Sequence, residues 1–232
     1  MNRRLLFLLF PTITIKMRIR LFLPLLVALF CLPNFAEAAV VNGDFSSGDL
    51  TGWTVFRDAN GILNGDPNSN DAPEVNLFDV TGNGESLAVQ FRVGRDGFPV
   101  ENAGGGISQT IETESGELSI SVDIAVFSTG NNAQGGQFEL SVNGVILETI
   151  DIGDMTVDQT IRDQLSGTVR VGQGSQQVQL AVRRIYSAGS AGTPVQYLDN
   201  IIATVSPVAI PEPTSAIFLA SIGIPMFVRR RR

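Results

Sequence analysis

Carboxylates are the reactive side chains this sequence holds in quantity. Of 232 residues, 23 are Asp or Glu, 16 are Lys or Arg, and none is His. Without imidazole there is no Ser-His-Asp or Cys-His nucleophile and no His metal ligand. The one Cys, Cys31, lies in an apolar N-terminal run. The folded part is therefore expected to lack disulfides, thiol nucleophiles and Zn or Fe–S sites. What remains is carboxylate chemistry: a glycosidase pair, or oxygen ligands for a hard cation. A solvated acidic surface explains the same residues. The expectation is that the protein is not an enzyme, with a carboxylate-dependent glycosidase as an alternative. Phosphate motifs fail. There is no GxxxxGK, Gly172-Gln173-Gly174 lacks its third Gly, and Gly104-Gly105-Gly106 reads as a loop ahead of a strand. The Asn/Asp-rich stretch from Asp58 to Asp71 fails as an EF-hand loop. Leu63 stands where the invariant Gly belongs, and Ser69 at the bidentate acid position.

The charge is segregated. Residues 39–210 hold seven Arg, no Lys and 21 acidic residues, a net of −14, although the whole chain sums to −7. Such a body repels nucleic acid, which is excluded as a partner. The basic residues gather at the two ends, beside apolar runs. Residues 17–39 run from Met-Arg-Ile-Arg through the apolar Leu21 to Leu32 to Ala36-Glu37-Ala38. That order is a signal peptide, with Ala36 and Ala38 as the small cleavage-site residues and signal peptidase as the processing enzyme. Residues 1–38 are assigned to it, and Met17 offers a second start. The alternative is an uncleaved N-terminal anchor. At the other end, residues 207–213 form a linker. Thr214 to Val228 is an apolar stretch, and Arg229, Arg230, Arg231 and Arg232 close the chain. Fifteen helical residues reach about 22 Å, and flanking arginines snorkel to complete a span. The arginines act as a membrane stop that stays cytoplasmic, leaving the body outside the inner membrane.

Pro211-Glu212-Pro213, the short apolar stretch and the basic terminus together resemble a PEP-CTERM sorting signal. The resemblance covers about 22 residues. It implies recognition by an exosortase, removal of the tail, and delivery to the cell surface or an exopolysaccharide matrix. The alternative is a plain C-terminal anchor.

Residues 39–206 read as one domain of short strands. Leu87, Val89, Phe91 and Val93 alternate with Ala88, Gln90 and Arg92. Leu118, Ile120, Val122, Ile124 and Val126 alternate with Ser119, Ser121, Asp123 and Ala125. Phe138, Leu140 and Val142 lead into Asn143-Gly144, a two-residue hairpin signal because both positions need positive φ. Val178, Leu180 and Val182 form another alternating run. With Val40–Phe45, Trp53–Phe56, Ile107–Ile111, Thr168–Val171 and a last strand over Val195–Val205, nine or ten strands are expected. One apolar and one polar face per strand predicts an all-β antiparallel jelly-roll sandwich.

Val41-Asn42-Gly43-Asp44-Phe45 through Gly52-Trp53-Thr54, the segment Ile107 to Thr113, and Tyr197-Leu198-Asp199-Asn200-Ile201 resemble successive motifs of carbohydrate-binding-module-like jelly rolls with a galactose-binding-like fold. The resemblance implies sandwich architecture. It also implies a structural Ca²⁺ tying the first strand to the last, with Asn42, Asp44 and Asp199 at the matching positions. Ser46 stands where the group carries an acidic residue. Sugar stacking needs exposed rings, and Trp53, Tyr186 and Tyr197 are the candidates. The leading expectation is an exported, exosortase-sorted, non-catalytic structural or adhesive protein. The alternative is a carbohydrate-binding module for extracellular polysaccharide.

Overall fold

Alternating strand sequences bury one face each, so they close into stacked sheets. The computed structural model describes residues 36–37, 40–65, 72–95, 102–130, 133–186 and 192–207. The segment expected as a signal peptide, apart from Ala36–Glu37, the Pro211–Pro213 motif, the 214–228 stretch and the terminal arginines lie outside these residues. Among the described residues no helix is long and apolar enough to cross a membrane.

Among the described residues fifteen strands follow in order: β1 (Ala36–Glu37), β2 (Thr54–Arg57), β3 (Gly61–Ile62), β4 (Glu74–Phe78), β5 (Ser86–Phe91), β6 (Gly94–Arg95), β7 (Ala103–Thr113) and β8 (Gly116–Phe127). Then come β9 (Ala133–Gln134), β10 (Gln137–Val142), β11 (Val145–Asp151), β12 (Asp154–Met155), β13 (Thr160–Val171), β14 (Gly174–Arg184) and β15 (Val195–Pro207). One large sheet runs β13-β8-β15-β5-β4, with β1 also on β15, and a second runs β11-β10-β14-β7-β2; β12 with β9 and β3 with β6 make two further two-stranded sheets. We call the two large ones sheets A and B. All the pairings within them are antiparallel. The core of sheet A is β5-β15-β8-β13 and that of sheet B is β7-β14-β10-β11. Chain order through them is that of a jelly roll.

Between the sheets lies one core that includes Phe45, Phe91, Ile107, Leu118, Ile124, Phe138, Leu140, Leu165 and Leu180. The β10–β11 hairpin turns at Asn143 (φ 50°) and Gly144 (φ 78°), the two positive φ values the Asn-Gly pair implies.

Five expectations change. Val40–Phe45 is no strand. It turns, with positive φ at Asn42 and Phe45, because Gly43 O accepts a hydrogen bond from Ile201 N at 2.9 Å. Gly104–Gly106 is not a loop but lies inside β7. A Cβ on Gly104 or Gly106 would strike the carbonyls of Val182 or Leu180 on β14. These glycines permit the two backbones to approach. Strand β4 is an addition, and β13 starts at Thr160 rather than Thr168. Finally, the outer face of sheet A is not polar throughout. Val80, Ala88, Ala125, Val195 and Tyr197 form a second apolar cluster there, with Phe78 and Phe127 packed against it.

Candidate functional site

The outer face of sheet A is where the fold assembles its polar groups around a hollow. Cross-strand register sets Gln164 of β13 opposite Asp123 of β8, and Asp123 opposite Asp199 of β15. Residues opposite one another in a ladder share a face. Above this row lies the loop between β4 and β5. It is stiffened from within: Asp79 Oδ1 accepts from Gly82 N at 2.7 Å and Gly84 N at 3.1 Å. It is also pinned to β13, since Arg162 donates Nε to Asp79 O at 2.9 Å and pairs with Asp79 Oδ2 at 3.3 Å. Val80, 1% exposed, plugs this loop into the second apolar cluster. The loop and the two strands border an open depression of about 460 Å³, lined by Val80, Thr81, Asn83, Asp123, Arg162, Asp163 and Gln164.

The wall groups are partly engaged with one another. Asp123 Oδ1 accepts from Gln164 Nε2 at 2.9 Å and Oδ2 from Asn200 Nδ2 at 3.0 Å. Asn200 reaches back because β15 bulges there, with Asn200 at φ 50° and the register shifting between Asp199 and Ile202. Asp199 sits behind this row with no exposed surface. It accepts from Ser86 Oγ at 2.6 Å and from Asn200 N at 2.7 Å. Burial pushes its carboxyl above the ordinary Asp range, the two hydrogen bonds oppose that, and the charges of Asp123 and Asp44 add to the rise.

The sequence-derived candidates separate. Asn42 clamps its own turn: Nδ2 donates to Asp49 O at 2.9 Å and Thr51 O at 3.2 Å, and Oδ1 accepts from Ser47 N at 3.3 Å. Asp44 is exposed, and its carboxyl is lowered chiefly by the backbone N–H of Ser46. The turn brings Asp44 toward Asp199, leaving two carboxylates where a calcium ion draws on six to eight oxygens. Among the described residues no three carboxylates, His or Cys gather in a metal-holding group. Trp53 faces the core at 8% exposure, tilted against Phe45 with centroids 6.2 Å apart, and donates Nε1 to Asn42 O at 3.1 Å. Tyr197 is also buried. It stacks on Phe78 at 3.9 Å in the second cluster. Tyr186 alone of the three is exposed, with the Arg184 guanidinium 5.7 Å from its ring centre. Ala36 pairs in β1 with Val205, and Ala38 lies outside the described residues.

Thr81, Asn83, Asp123, Arg162, Asp163 and Gln164 were not singled out from sequence as a site. Their one sequence signal is the Asp79-to-Asn83 stretch of turn-forming residues, which marks a loop and no partner.

On sheet B, Arg183 bridges two carboxylates, Asp58 at 2.8 Å and Glu139 at 3.3 Å. These pairs close over the outer face of the sheet beside Gly104 and Ala181, so Asp58 serves as an anchor for the following loop.

No protein-family model matches this chain, and no curated protein matches it. Solved structures do. TmCBM61 in complex with β-1,4-galactotriose is 15% identical, covering 74% of this chain and 100% of that one, at a TM-score of 0.46. A carbohydrate-binding module of the β-sandwich superfamily, described for promiscuous specificity, is 12% identical, covering 72% and 63%, at 0.47. The CBM22-1 xylan-binding domain from Paenibacillus barcinonensis Xyn10C is 17% identical, covering 75% and 99%, at 0.39. At these identities no residue role passes from those proteins to this one.

Proposed function

We propose that this chain is a non-catalytic saccharide-binding sandwich, exported and held at the cell surface or in an extracellular polysaccharide matrix. One observation carries the binding half: the pocket on sheet A. Its volume of about 460 Å³ falls in the range of small-ligand sites. Its lining includes acceptors (Asp123, the Gln164 carbonyl) and donors (Asn83, Thr81, Arg162). Vicinal hydroxyls call for such pairs of donor and acceptor. The loop that forms one wall is braced by Asp79 and Arg162, so little ordering entropy is lost on binding.

Absence of catalysis is part of the reading. Hydrolysis of a glycosidic bond uses two facing carboxyl groups. In the pocket, each Asp123 oxygen already accepts a hydrogen bond from the protein, and Asp163, opposite Ile124 in the ladder, lies in the register of the other face. Export and sorting rest on the two ends of the sequence. In that setting the sandwich adheres to glycan, and signal peptidase and exosortase are its processing partners.

Two experiments test the two halves. Titration of the full chain with short oligosaccharides should show heat that is lost on Asn83→Ala with Thr81→Ala. Heat unchanged by that pair would remove the pocket from the reading. Replacing Pro211, Glu212 and Pro213 by Ala in an exosortase-bearing host should retain an unprocessed form in the membrane fraction. Unchanged size and location would end the sorting claim.

A further inference from the structure

Among the described residues, Arg184 is a buried cation with which no carboxylate pairs. It ends β14, where alternation turns Arg183 outward to Asp58 and Glu139 and leaves Arg184 on the side of Val182 and the core. Arg184 is 3% exposed, although arginines buried to that degree are ordinarily paired. Burial lowers its pKa to about 10, so the guanidinium keeps its charge at neutral pH. Nη1 donates to Val93 O at 3.4 Å, longer than a usual N–H···O bond. Nε is sealed from solvent and has no partner.

A second group is left unbonded at the same end of the sandwich. Gln196, without exposed surface, accepts from Val93 N on Oε1 at 3.1 Å and donates Nε2 to Gly135 O at 3.0 Å. Beside Gly135, Gln134 Oε1 is buried and has no partner. Among the described residues these are the two sealed side-chain polar atoms without a hydrogen bond. Such atoms carry a desolvation cost that a ligand can relieve.

Resting on the saccharide reading above, but at a place that shares no residue with the sheet A pocket, we infer that Arg184 and Tyr186 form a site for a uronate, a sugar bearing a carboxylate. With Nη1 turned to Val93, the edge through Nε is the one left to hold a carboxylate by two parallel N–H···O bonds. A carboxylate brings the missing charge and two acceptors together, whereas a hydroxyl brings no charge. Tyr186 supplies the sugar platform. It is 46% exposed, and its ring centre lies 5.7 Å from the guanidinium, near the outer limit of about 6 Å for a cation–π pair. A contact that long holds the ring weakly. The ring turns aside for the carboxylate and stacks on the sugar.

Residues 39–210 carry a net of −14, which repels a polyanion at long range. The site therefore suits isolated uronates among neutral sugars, and its probe carries a single one.

The test is calorimetric titration of the full chain at about pH 7, where a uronate is ionised. The probes are a trisaccharide with one glucuronate, the same trisaccharide with its carboxyl reduced to an alcohol, and acetate. The glucuronate trisaccharide should bind about tenfold or more tightly than its reduced form. Arg184→Lys keeps the charge and loses the fork, and should erase most of that preference. Tyr186→Ala, a change at an exposed side chain, should weaken the glucuronate sugar several-fold and leave the urea midpoint unaltered. The glucuronate sugar should raise the melting temperature of the wild type and not that of Arg184→Lys. Equal affinity for the two trisaccharides, or glucuronate binding unaltered by both variants, overturns the inference. The saccharide reading then still stands on neutral-sugar heat that is lost on Asn83→Ala with Thr81→Ala. Acetate binding as tightly as the glucuronate sugar overturns the sugar assignment. No heat with any sugar overturns both.

Discussion

Gln109 holds the entry segment of the domain to sheet B, and its replacement tests how that segment is anchored. The side chain is 6% exposed on β7. Its Oε1 accepts from Val41 N at 2.7 Å, and its Nε2 donates to Val41 O at 2.9 Å and Gly52 O at 3.0 Å. Gln109 therefore grips both ends of the turn that carries Phe45 and Trp53 into the core. Gln109→Leu removes three hydrogen bonds. At roughly 0.5–1.5 kcal/mol net for each, the loss is about 2–4 kcal/mol. The lower half of the range is expected, because Val41 is 53% exposed and water can reach its backbone once the turn loosens. Gln109→Glu is near-isosteric, yet it turns a carboxylate toward two carbonyls. It should be at least as damaging as Leu near neutral pH. Its folded pKa must lie above the unfolded value, so stability should return as pH falls through that range. The assay is urea unfolding followed by the fluorescence of the single Trp. Trp53 lies in the gripped segment, so its emission should shift to the red before the global transition. A midpoint for Gln109→Leu equivalent to less than about 0.5 kcal/mol, with native emission, would refute the clamp.

Three further outcomes are expected. Gly106→Ala drives a Cβ into the Leu180 carbonyl, backbone against backbone; about 3 kcal/mol or more of stability should be lost. Wild-type melting of that variant would show that β7 and β14 can part at no cost. Asp199 has a raised carboxyl, so its stabilising share is present below the ordinary Asp range and is lost as pH rises through the folded value. Asp199→Asn should therefore gain on wild type at neutral pH and lose that gain toward acid pH, as read by urea midpoints; an advantage that grows in acid contradicts the burial argument. Asp44 and Asp49 act in the opposite sense. Hydrogen bonds hold both carboxyls low, Asp44 chiefly through the Ser46 backbone and Asp49 chiefly through the Ser47 hydroxyl. Their contribution is present above the ordinary range and falls away in acid. Chelation by EDTA should shift the melting temperature by less than about 2 °C, because Asn42 is spent on its own turn; a rise of several degrees on adding Ca²⁺ would place an ion between Asp44 and Asp199.

Legibility followed burial. Strands β8, β10 and β14 are flanked on both sides within their sheets, and their apolar residues alternate in the sequence because one face of each fills the core. Edge strands carry less of that signal. In β4 the pattern is mostly exposed, Glu74, Asn76 and Leu77 included, and the first half of β13 is polar enough to resemble a loop. Gly104–Gly106 misled in the other direction. A run of glycine marks a turn on local grounds, and its use in β7 depends on carbonyls of β14 more than seventy residues away. Val40–Phe45 looked extended from its apolar ends, and a long-range hydrogen bond to Ile201 turned it. The second apolar cluster was hidden because Ala88 and Ala125 are small enough to sit on either face. Phe78 and Tyr197 stack there, with Val80, Val195 and Phe127 completing the cluster.

For the candidate site the division is sharper. Composition alone removed imidazole, residues 39–210 hold no Cys or Lys, and the order of charged and apolar runs at the two ends is a property of the linear chain. Alternation and the Asn143-Gly144 turn were likewise local, since period and φ preference belong to each residue and its neighbours. The pocket was not local. Asp79, Asp123, Arg162, Asp163 and Asn200 lie on three separate strands and a loop. Their meeting depends on ladder register, on the bulge after Asp199, and on a loop folded down by Val80. Register is settled by the packing of both sheets at once, so which side chains line the pocket was decided only when the sandwich closed.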